Sequence, residues 1–220
     1  MSGEEPRINV YQERIFPVLF MLFITAVFIA LVSGIYLATR ENVLSNEQRY
    51  LKKAVLYAAG IETPEATEAG ADLFEERYEQ RIREVAAYNE SGELIDVVYY
   101  EVSDSDGNIV GFVIPAEGPG LWGEIEAVIG FDAELSILTG VDFIKQNETP
   151  GLGGRIAEPW FRSQFRGKAA PLSRVAEGTM SADTHEFDAI TGATITSTAV
   201  ETIINSLSAE ASDIIEGARR

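Results

Sequence analysis

Asp188-Ala-Ile-Thr-Gly-Ala-Thr194, followed at once by Ile-Thr-Ser-Thr198, decides the fold of the C-terminal part of this chain. Gly192 permits backbone geometry that a side chain would forbid, which predicts a tight turn. An amphipathic helix should follow, because four apolar residues recur at helical spacing: Val200, Ile203, Ile204 and Leu207. Thr198-Ala-Val-Glu201 fits the capping-box pattern for its start. Thr194 is therefore expected on an exposed turn at a helix entrance, where free N–H groups suit a phosphate.

A threonine-rich helix cap after a tight turn is the ordinary explanation for a short Gly-Thr stretch. The length of the pattern argues against it here. Asp-x-x-[Ser/Thr]-Gly-Ala-Thr should occur by chance in roughly one of a few thousand chains of this length, given average composition. A threonine hydroxyl is a poor nucleophile, and the motif places no base beside it.

Composition narrows the class of protein. The 220 residues suit one domain plus an anchor, and the sequence contains no cysteine. Disulfides, thiolate catalysis and Cys-ligated iron–sulfur or zinc sites are thereby excluded. The net charge of −18 argues against nucleic acid and favours a solvated acidic surface or a basic partner. His185 is the only histidine, and no metal site is predicted.

Residues 15–39 form an apolar run without a charge between Arg14 and Arg40. About 20 apolar residues span a bilayer, so the run predicts a transmembrane anchor after a tail at 1–14. A cleaved signal peptide would have a shorter apolar core, and a buried soluble helix is the remaining alternative.

Basic residues flank this run unequally: Arg7 and Arg14 precede it, and Arg40, Arg49, Lys52 and Lys53 follow it. The positive-inside rule, applied to this plain count, predicts a cytoplasmic C-terminal part.

Residues 40–92 are interpreted as a helical connecting region. Apolar spacing predicts one helix over 45–59, ended by Gly60, and a second over 73–88, with a polar linker at 63–70. From residue 93 the period changes to two. Four strands are predicted at 94–102, 109–114, 124–129 and 135–143, the first pair joined by a hairpin at 103–108. The fold class is α+β, with an antiparallel sheet flanked by helices in a domain at 93–220.

Two glycine-rich stretches interrupt this pattern. Glu117-Gly-Pro-Gly-Leu-Trp-Gly123 indicates a rigid bend beside Trp122, although a tryptophan is more often a core residue. Glu148-Thr-Pro-Gly-Leu-Gly-Gly154 indicates a loop whose backbone can approach a flat ligand. Alone it is weak evidence, since it matches neither a phosphate loop nor a Rossmann fingerprint and could be an ordinary connection.

The three stretches, in this order, resemble the FMN-binding subunits of two membrane complexes. These are the Rnf electron-transport complex (its G subunit) and the sodium-translocating NADH:quinone reductase (its C subunit). The resemblance implies that Thr194 carries FMN through a phosphoester installed by a flavin transferase. It also implies a flavin pocket made of Trp122, Glu148, Thr149, Leu152, Gly153, Thr191, Gly192 and Ala193. Gln146 stands where the family often has histidine, and we assign it no role.

The implied function is electron transfer without a substrate or catalytic residues of its own. Implied partners are other membrane subunits, the transferase and membrane lipid. The resemblance places the chain in the bacterial inner membrane as a single-pass protein with its FMN domain on the outer face. We prefer this to the plain charge count, because Lys52 and Lys53 lie on a helix of the connecting region that can pack with the folded domain. Ala-Ile-Thr-Gly-Ala-Thr favours the Rnf protein, whereas Gly-Leu-Trp and Gly-Leu-Gly-Gly favour the reductase protein. A tethered module that binds FMN or another phosphate ligand non-covalently, or a scaffold, remains an alternative.

Overall fold

The computed structural model describes residues 15–61, 71–88 and 94–218. The predicted tail at 1–14 and the polar linker at 63–70 thus lie outside the described residues. The chain divides into two compact units, Met1–Gln48 and Arg49–Arg220.

The first helix, α1, runs over Phe16–Ala58. Its most apolar 18-residue window has a mean hydropathy of 2.8 and is not buried, so the helix is long and apolar enough to cross a membrane. Residues 40–44 contain neither glycine nor proline, the two residues that most disfavour a helix interior. The apolar run and the helix predicted at 45–59 are therefore one helix, not two. It ends before Gly60, as predicted.

The second unit is built on a five-stranded antiparallel sheet in chain order. The strands are β1 Ile82–Tyr88, β2 Leu94–Ser103, β3 Ile109–Pro119, β4 Glu124–Asp132 and β5 Leu138–Lys145. The predicted α+β class is confirmed, and the four predicted strands correspond to β2 through β5. The hairpin predicted at 103–108 joins β2 and β3.

The helix predicted over 73–88 is wrong in its second half. Helix α2 covers Ala71–Arg81, and the following residues pair with β2 as β1. The exposed N–H and C=O groups of β2 offer a ladder to these residues, and this pairing outweighs their helical spacing. The segment 40–92 is therefore not purely helical, because it supplies a strand to the sheet.

Helices cover both faces of the sheet. One face carries Phe112, Ile114, Ile125, Ile129 and Phe131, which share a core with α3, Pro159–Ser163, and α4, Thr194–Ala218. The other face carries Tyr100, Val102, Val113 and Val128, which share a second core with the end of α1 and with α2. Successive residues of a strand point to opposite faces, so the central parts of β3 and β4 are apolar on both faces.

The C-terminal elements complete the unit. A short 3₁₀ helix at Gly153–Ala157 precedes α3, and two short strands, β6 Ser173–Val175 and β7 Glu186–Asp188, pair in parallel before α4. The four predicted apolar residues of α4 are buried. The capping-box prediction is wrong, because the helix already begins at Thr194. Thr198 Oγ1 donates instead to the Thr194 carbonyl at 2.7 Å, inside the first turn.

Candidate functional site

Thr194 is exposed at the first position of α4. The first helical N–H to find an acceptor is that of Ser197, which donates to the Ala193 carbonyl at 3.0 Å. Within the described part of the chain, the N–H groups of Thr194, Ile195 and Thr196 have no hydrogen-bond acceptor. Free N–H groups and the helix dipole favour an anion at this end.

The turn before the helix is fixed by short hydrogen bonds. Ala193 N donates to the Ile190 carbonyl, and Ile190 N donates to Ser197 Oγ, each at 3.0 Å. Gly192 has a φ of +79°, in the left-handed region that favours glycine. A Cβ there would lie 3.2 Å from Leu152 Cδ2, so the turn lies against the loop that carries Leu152.

Glu148 connects three separate parts of the site. It is buried, with 5% of its surface exposed. One carboxylate oxygen accepts the N–H groups of Leu121 at 2.8 Å and Trp122 at 3.1 Å. The other oxygen accepts the hydroxyl of the buried Thr196 on α4. This one side chain therefore ties the β3–β4 turn and the start of α4 to its own loop.

Gly153 lets that loop approach the carboxylate. A Cβ at this position would lie 2.6 Å from Glu148 Oε2 and 2.5 Å from Thr196 Oγ1. Both distances are shorter than real Cβ atoms show, so a side chain would displace the hydrogen bond between Glu148 and Thr196. This explains the glycine in physical terms that its sequence motif alone does not give.

Trp122 is 67% exposed, so the core alternative for it is wrong. Strand β3 continues to Pro119, which shortens the predicted bend to a hairpin turn at 120–123 that lies at the end of the sheet. The indole Nε1 donates to Thr149 Oγ1 at 3.0 Å. An exposed aromatic ring is thus held against the loop that contains Glu148.

A cavity of about 260 Å³ lies beside Thr194. Seven of the nine predicted site residues line it: Glu148, Thr149, Leu152, Gly153, Gly192, Ala193 and Thr194. Trp122 and Thr191 adjoin it through their neighbours Leu121 and Gly192. Sequence reasoning missed three lining residues, Leu121, Ile195 and Thr196, although each lies within two residues of a predicted one.

Glu177 is a further residue that sequence reasoning missed. Its carboxylate pairs with Arg155 at 2.8 Å and accepts the N–H of Thr191 at 2.7 Å. The hydrogen bonds from Arg155 and then Thr191 lower the pKa of Glu177 from 4.5 to about 2. Because the folded-state pKa lies below the ordinary one, the stabilisation from this contact is complete above about pH 4.5 and is lost as the pH falls towards 2, and it is small because both side chains are partly exposed to water.

Comparison with known proteins identifies the part of the chain that contains this cavity. Residues 120–208 match the family described as FMN-binding domain. All ten residues that line the cavity lie within this match. The predicted resemblance is thereby confirmed for the FMN-binding domain.

Relatives of both predicted kinds are similar to the chain. It is 39% identical over 110 residues to the G subunit of the ion-translocating oxidoreductase complex of Methanosarcina acetivorans, covering 50% of this chain and 56% of that one. It is 31% identical over 130 residues to the C subunit of the Na(+)-translocating NADH-quinone reductase of Yersinia pestis, covering 56% and 48%. The chain thus spans about half the length of the curated relatives it matches.

A solved structure supports the fold. The crystal structure of the corresponding C subunit of the Na(+)-translocating NADH-quinone reductase from Parabacteroides distasonis superimposes with a TM-score of 0.61 at 27% identity. The match covers 80% of this chain and 96% of that one.

The residues present fit FMN. The free N–H groups at the start of α4 provide donors for a phosphate. Leu121, Leu152 and Ile195 provide exposed apolar surface beside them. The cavity is slightly smaller than the roughly 300–1,000 Å³ of sites that enclose a ligand of this size, so part of a flavin ring would stay in contact with solvent or a partner.

Proposed function

We propose that the chain is an electron-transfer subunit of a membrane-bound, ion-translocating oxidoreductase complex and carries FMN covalently on Thr194. The observation that carries this proposal is the position of Thr194. Its side chain lies at the exposed first residue of a 25-residue helix, beside a cavity inside the FMN-binding domain match. A covalent cofactor suits a relay, because the carrier stays attached in both redox states.

A flavin transferase is part of the proposal. Forming the phosphoester joins Thr194 Oγ1 to the flavin phosphorus, breaks the bond between that phosphorus and the leaving group of the donor nucleotide, which departs as a phosphate, and removes the hydroxyl proton. Among the described residues, no carboxylate or imidazole hydrogen-bonds that hydroxyl. A base supplied by another protein, with an activated flavin nucleotide as donor, meets this requirement.

The bound FMN would supply one- and two-electron chemistry, and the chain would supply attachment, orientation and exclusion of water. We propose that Leu152 and Trp122 would both line the flavin ring, since both are exposed and both belong to turns fixed by Thr149 or Glu148. Gly153, Thr191, Gly192 and Ala193 shape the backbone around the phosphate.

The partners follow from the relatives. Proteins similar to this chain are named as subunits of ion-translocating oxidoreductase complexes of both kinds, so the proposal does not choose between them. Other membrane subunits would deliver and accept the electrons. A tethered module that holds FMN without a bond is the second candidate, supported by the same cavity and helix terminus.

Intact mass separates these candidates. The full chain, purified in detergent after co-expression with a flavin transferase, should be heavier than the bare chain by the mass of FMN less one water. The increment should disappear when the transferase is omitted. A chain that returns the bare mass after denaturation, while the native sample contains flavin, would favour non-covalent binding.

We further propose that α1 anchors the chain in the cytoplasmic membrane with the FMN domain on the outer face. Lys52 Nζ lies 5.3 Å from the Tyr78 ring centroid, and Lys53 Nζ lies 5.2 Å from that of Phe74. The guanidinium of Arg49 also lies over the Phe74 ring. These three charges thus belong to the folded second unit and carry less weight in a count of flanking charge.

Without them, Arg7 and Arg14 on the N-terminal side outnumber Arg40 on the other. The positive-inside rule then favours a cytoplasmic N-terminus, in agreement with the family resemblance.

Protease access tests this orientation. A specific cleavage site inserted after Asp106, in the exposed turn between β2 and β3, should be cut in intact cells stripped of their outer envelope. A cytoplasmic protein bearing the same site serves as the control and should stay intact until lysis. Protection of the inserted site until lysis would place the FMN domain in the cytoplasm instead.

A further inference from the structure

Glu177 lies outside both glycine-rich motifs, yet it contacts residues beside the Glu148 loop and within the threonine motif. Its Oε1 pairs with Arg155 Nη2 at 2.8 Å, and Arg155 follows directly after the loop that contains Glu148. Its Oε2 accepts the N–H of Thr191 at 2.7 Å. One side chain therefore connects the two stretches that surround the cavity.

The Arg155 end of this connection is held in place. Arg155 Nη1 makes a second contact with Glu177 at 3.3 Å, so the pair is bidentate. Arg155 Nε lies 3.5 Å from Glu158, and its guanidinium lies 5.1 Å from the Trp160 ring centroid. A guanidinium with contacts on three sides loses little further freedom when it binds a carboxylate.

The backbone that carries Glu177 is also fixed, and by the first residue of the threonine motif. The buried carboxylate of Asp188 accepts the N–H of Gly178 at 2.7 Å and of Met180 at 3.1 Å. Gln164 in turn bonds both the N–H and the carbonyl of Asp188. Asp188 thus holds the segment from which Glu177 reaches back to Thr191.

The turn at 191–193 is bounded on two sides. Glu177 accepts from Thr191 on one side, and Leu152 Cδ2 lies against Gly192 on another. Thr194 follows this turn directly, so the direction of its hydroxyl depends on the backbone of Thr191 and Gly192. A residue that fixes the turn also fixes the presentation of the hydroxyl.

We propose that Glu177 is a positioning residue, which holds the turn at 191–193 against Arg155 and so presents the Thr194 hydroxyl for attachment of the flavin phosphate. This rests on the proposed function. The role is orientation and not stability. Thr191 is exposed, so water can replace the lost acceptor, and ion pairs at such partly exposed positions contribute little to folding. Misplacing a reacting group by about 1 Å, in contrast, can slow a reaction about a hundredfold.

Two variants of Glu177 and one matched control test this. Glu177→Ala removes the acceptor, and Glu177→Gln keeps an oxygen for the Thr191 N–H while removing the charge. The control is Glu201→Ala on α4, which breaks an ion pair with Arg174 of similar length, 2.7 Å. The two glutamates are similarly exposed, 26% for Glu177 and 24% for Glu201, and the partner of Glu201 lies outside both motifs.

The full-length, flavin-free chains are compared by amide hydrogen exchange and by the rate of flavin incorporation with a transferase. Glu177→Ala should exchange the Thr191 amide faster and incorporate flavin about ten- to a hundredfold more slowly. Glu177→Gln should lie closer to the wild type in both measurements, and Glu201→Ala should match it. All four chains should unfold at the same denaturant concentration.

Wild-type incorporation by Glu177→Ala would overturn the proposal, as would unchanged exchange at Thr191. An equal slowing by Glu201→Ala would also overturn it, because loss of any surface ion pair would then suffice. If the wild-type chain itself acquires no covalent flavin, the proposed function fails. The exchange measurement still stands in that case: faster exchange at Thr191 in Glu177→Ala shows that Glu177 holds the turn, and unchanged exchange shows that it does not.

Discussion

Thr194→Val should remove all covalent flavin from the protein and leave the fold unchanged. Valine has nearly the shape of threonine but carries no hydroxyl, so no phosphoester can form. The side chain is exposed, and within the described structure its hydroxyl makes no hydrogen bond that folding requires. We expect the free energy of unfolding to change by no more than about 0.5 kcal/mol, as for most surface substitutions. Flavin fluorescence on a denaturing gel, with transferase present, measures the effect.

Two variants control this experiment. Thr198→Val removes another hydroxyl from the same helix, one that donates to the Thr194 carbonyl, and it should keep its flavin. Thr194→Ser keeps a hydroxyl at the attachment position and should retain covalent flavin. A fluorescent band from Thr194→Val would show that another residue carries the flavin, and loss of the band in Thr198→Val would point to a general effect on the helix.

The part of the fold set by local chemistry could be predicted from the sequence. The tight turn at Gly192 and the buried stripe of α4 depend on residues close together in the chain, and both are confirmed. The predicted start of α4 is wrong by four residues. Thr198 and Glu201 fit a capping pattern, but the helix already begins at Thr194. The actual turn depends instead on Ser197, which accepts the Ile190 N–H.

Features that depend on distant partners could not be predicted in this way. The residues of β1 have helical spacing, and only pairing with the edge of β2 makes them a strand. Glu177 is separated from Arg155 by 22 residues and from Thr191 by 14. No sequence motif around Glu177 indicates either contact. The exposure of Trp122 could not be predicted either, because burial of a tryptophan depends on where its turn lies relative to the sheet.

The cavity shows how motifs and contacts combine. The glycine-rich and threonine motifs place seven residues in one site, but their order in the chain does not explain why they should meet. The structure supplies that reason in Glu148, whose carboxylate accepts from Leu121, Trp122 and Thr196. A residue of a family motif can thus have a structural role, connecting the parts of the site, in addition to any contact with the ligand.

Glu148→Ala should destabilise the second unit by about 2–4 kcal/mol, the largest effect on stability that we expect at the site. The substitution leaves the N–H groups of Leu121 and Trp122 and the Thr196 hydroxyl without their acceptor. Thr196 is buried, and a buried donor that loses its partner costs about 1–3 kcal/mol. The two N–H groups belong to exposed residues, so they add only the loss of hydrogen bonds to a charged acceptor. The midpoint of denaturant unfolding of the full chain, with an unchanged slope, measures this loss.

Glu148→Gln separates the hydrogen bonds from the charge. The amide oxygen can still accept both backbone N–H groups, and the amide nitrogen can donate to Thr196 Oγ1, since a hydroxyl is both donor and acceptor. This variant should therefore lose less than half as much stability as Glu148→Ala. Glu126→Ala, which breaks an exposed pair with Lys145 on the same sheet, should change the free energy of unfolding by no more than about 0.5 kcal/mol. Equal midpoints for Glu148→Ala and the wild type would mean that the three donors find other acceptors, and that Glu148 does not hold the β3–β4 turn to α4.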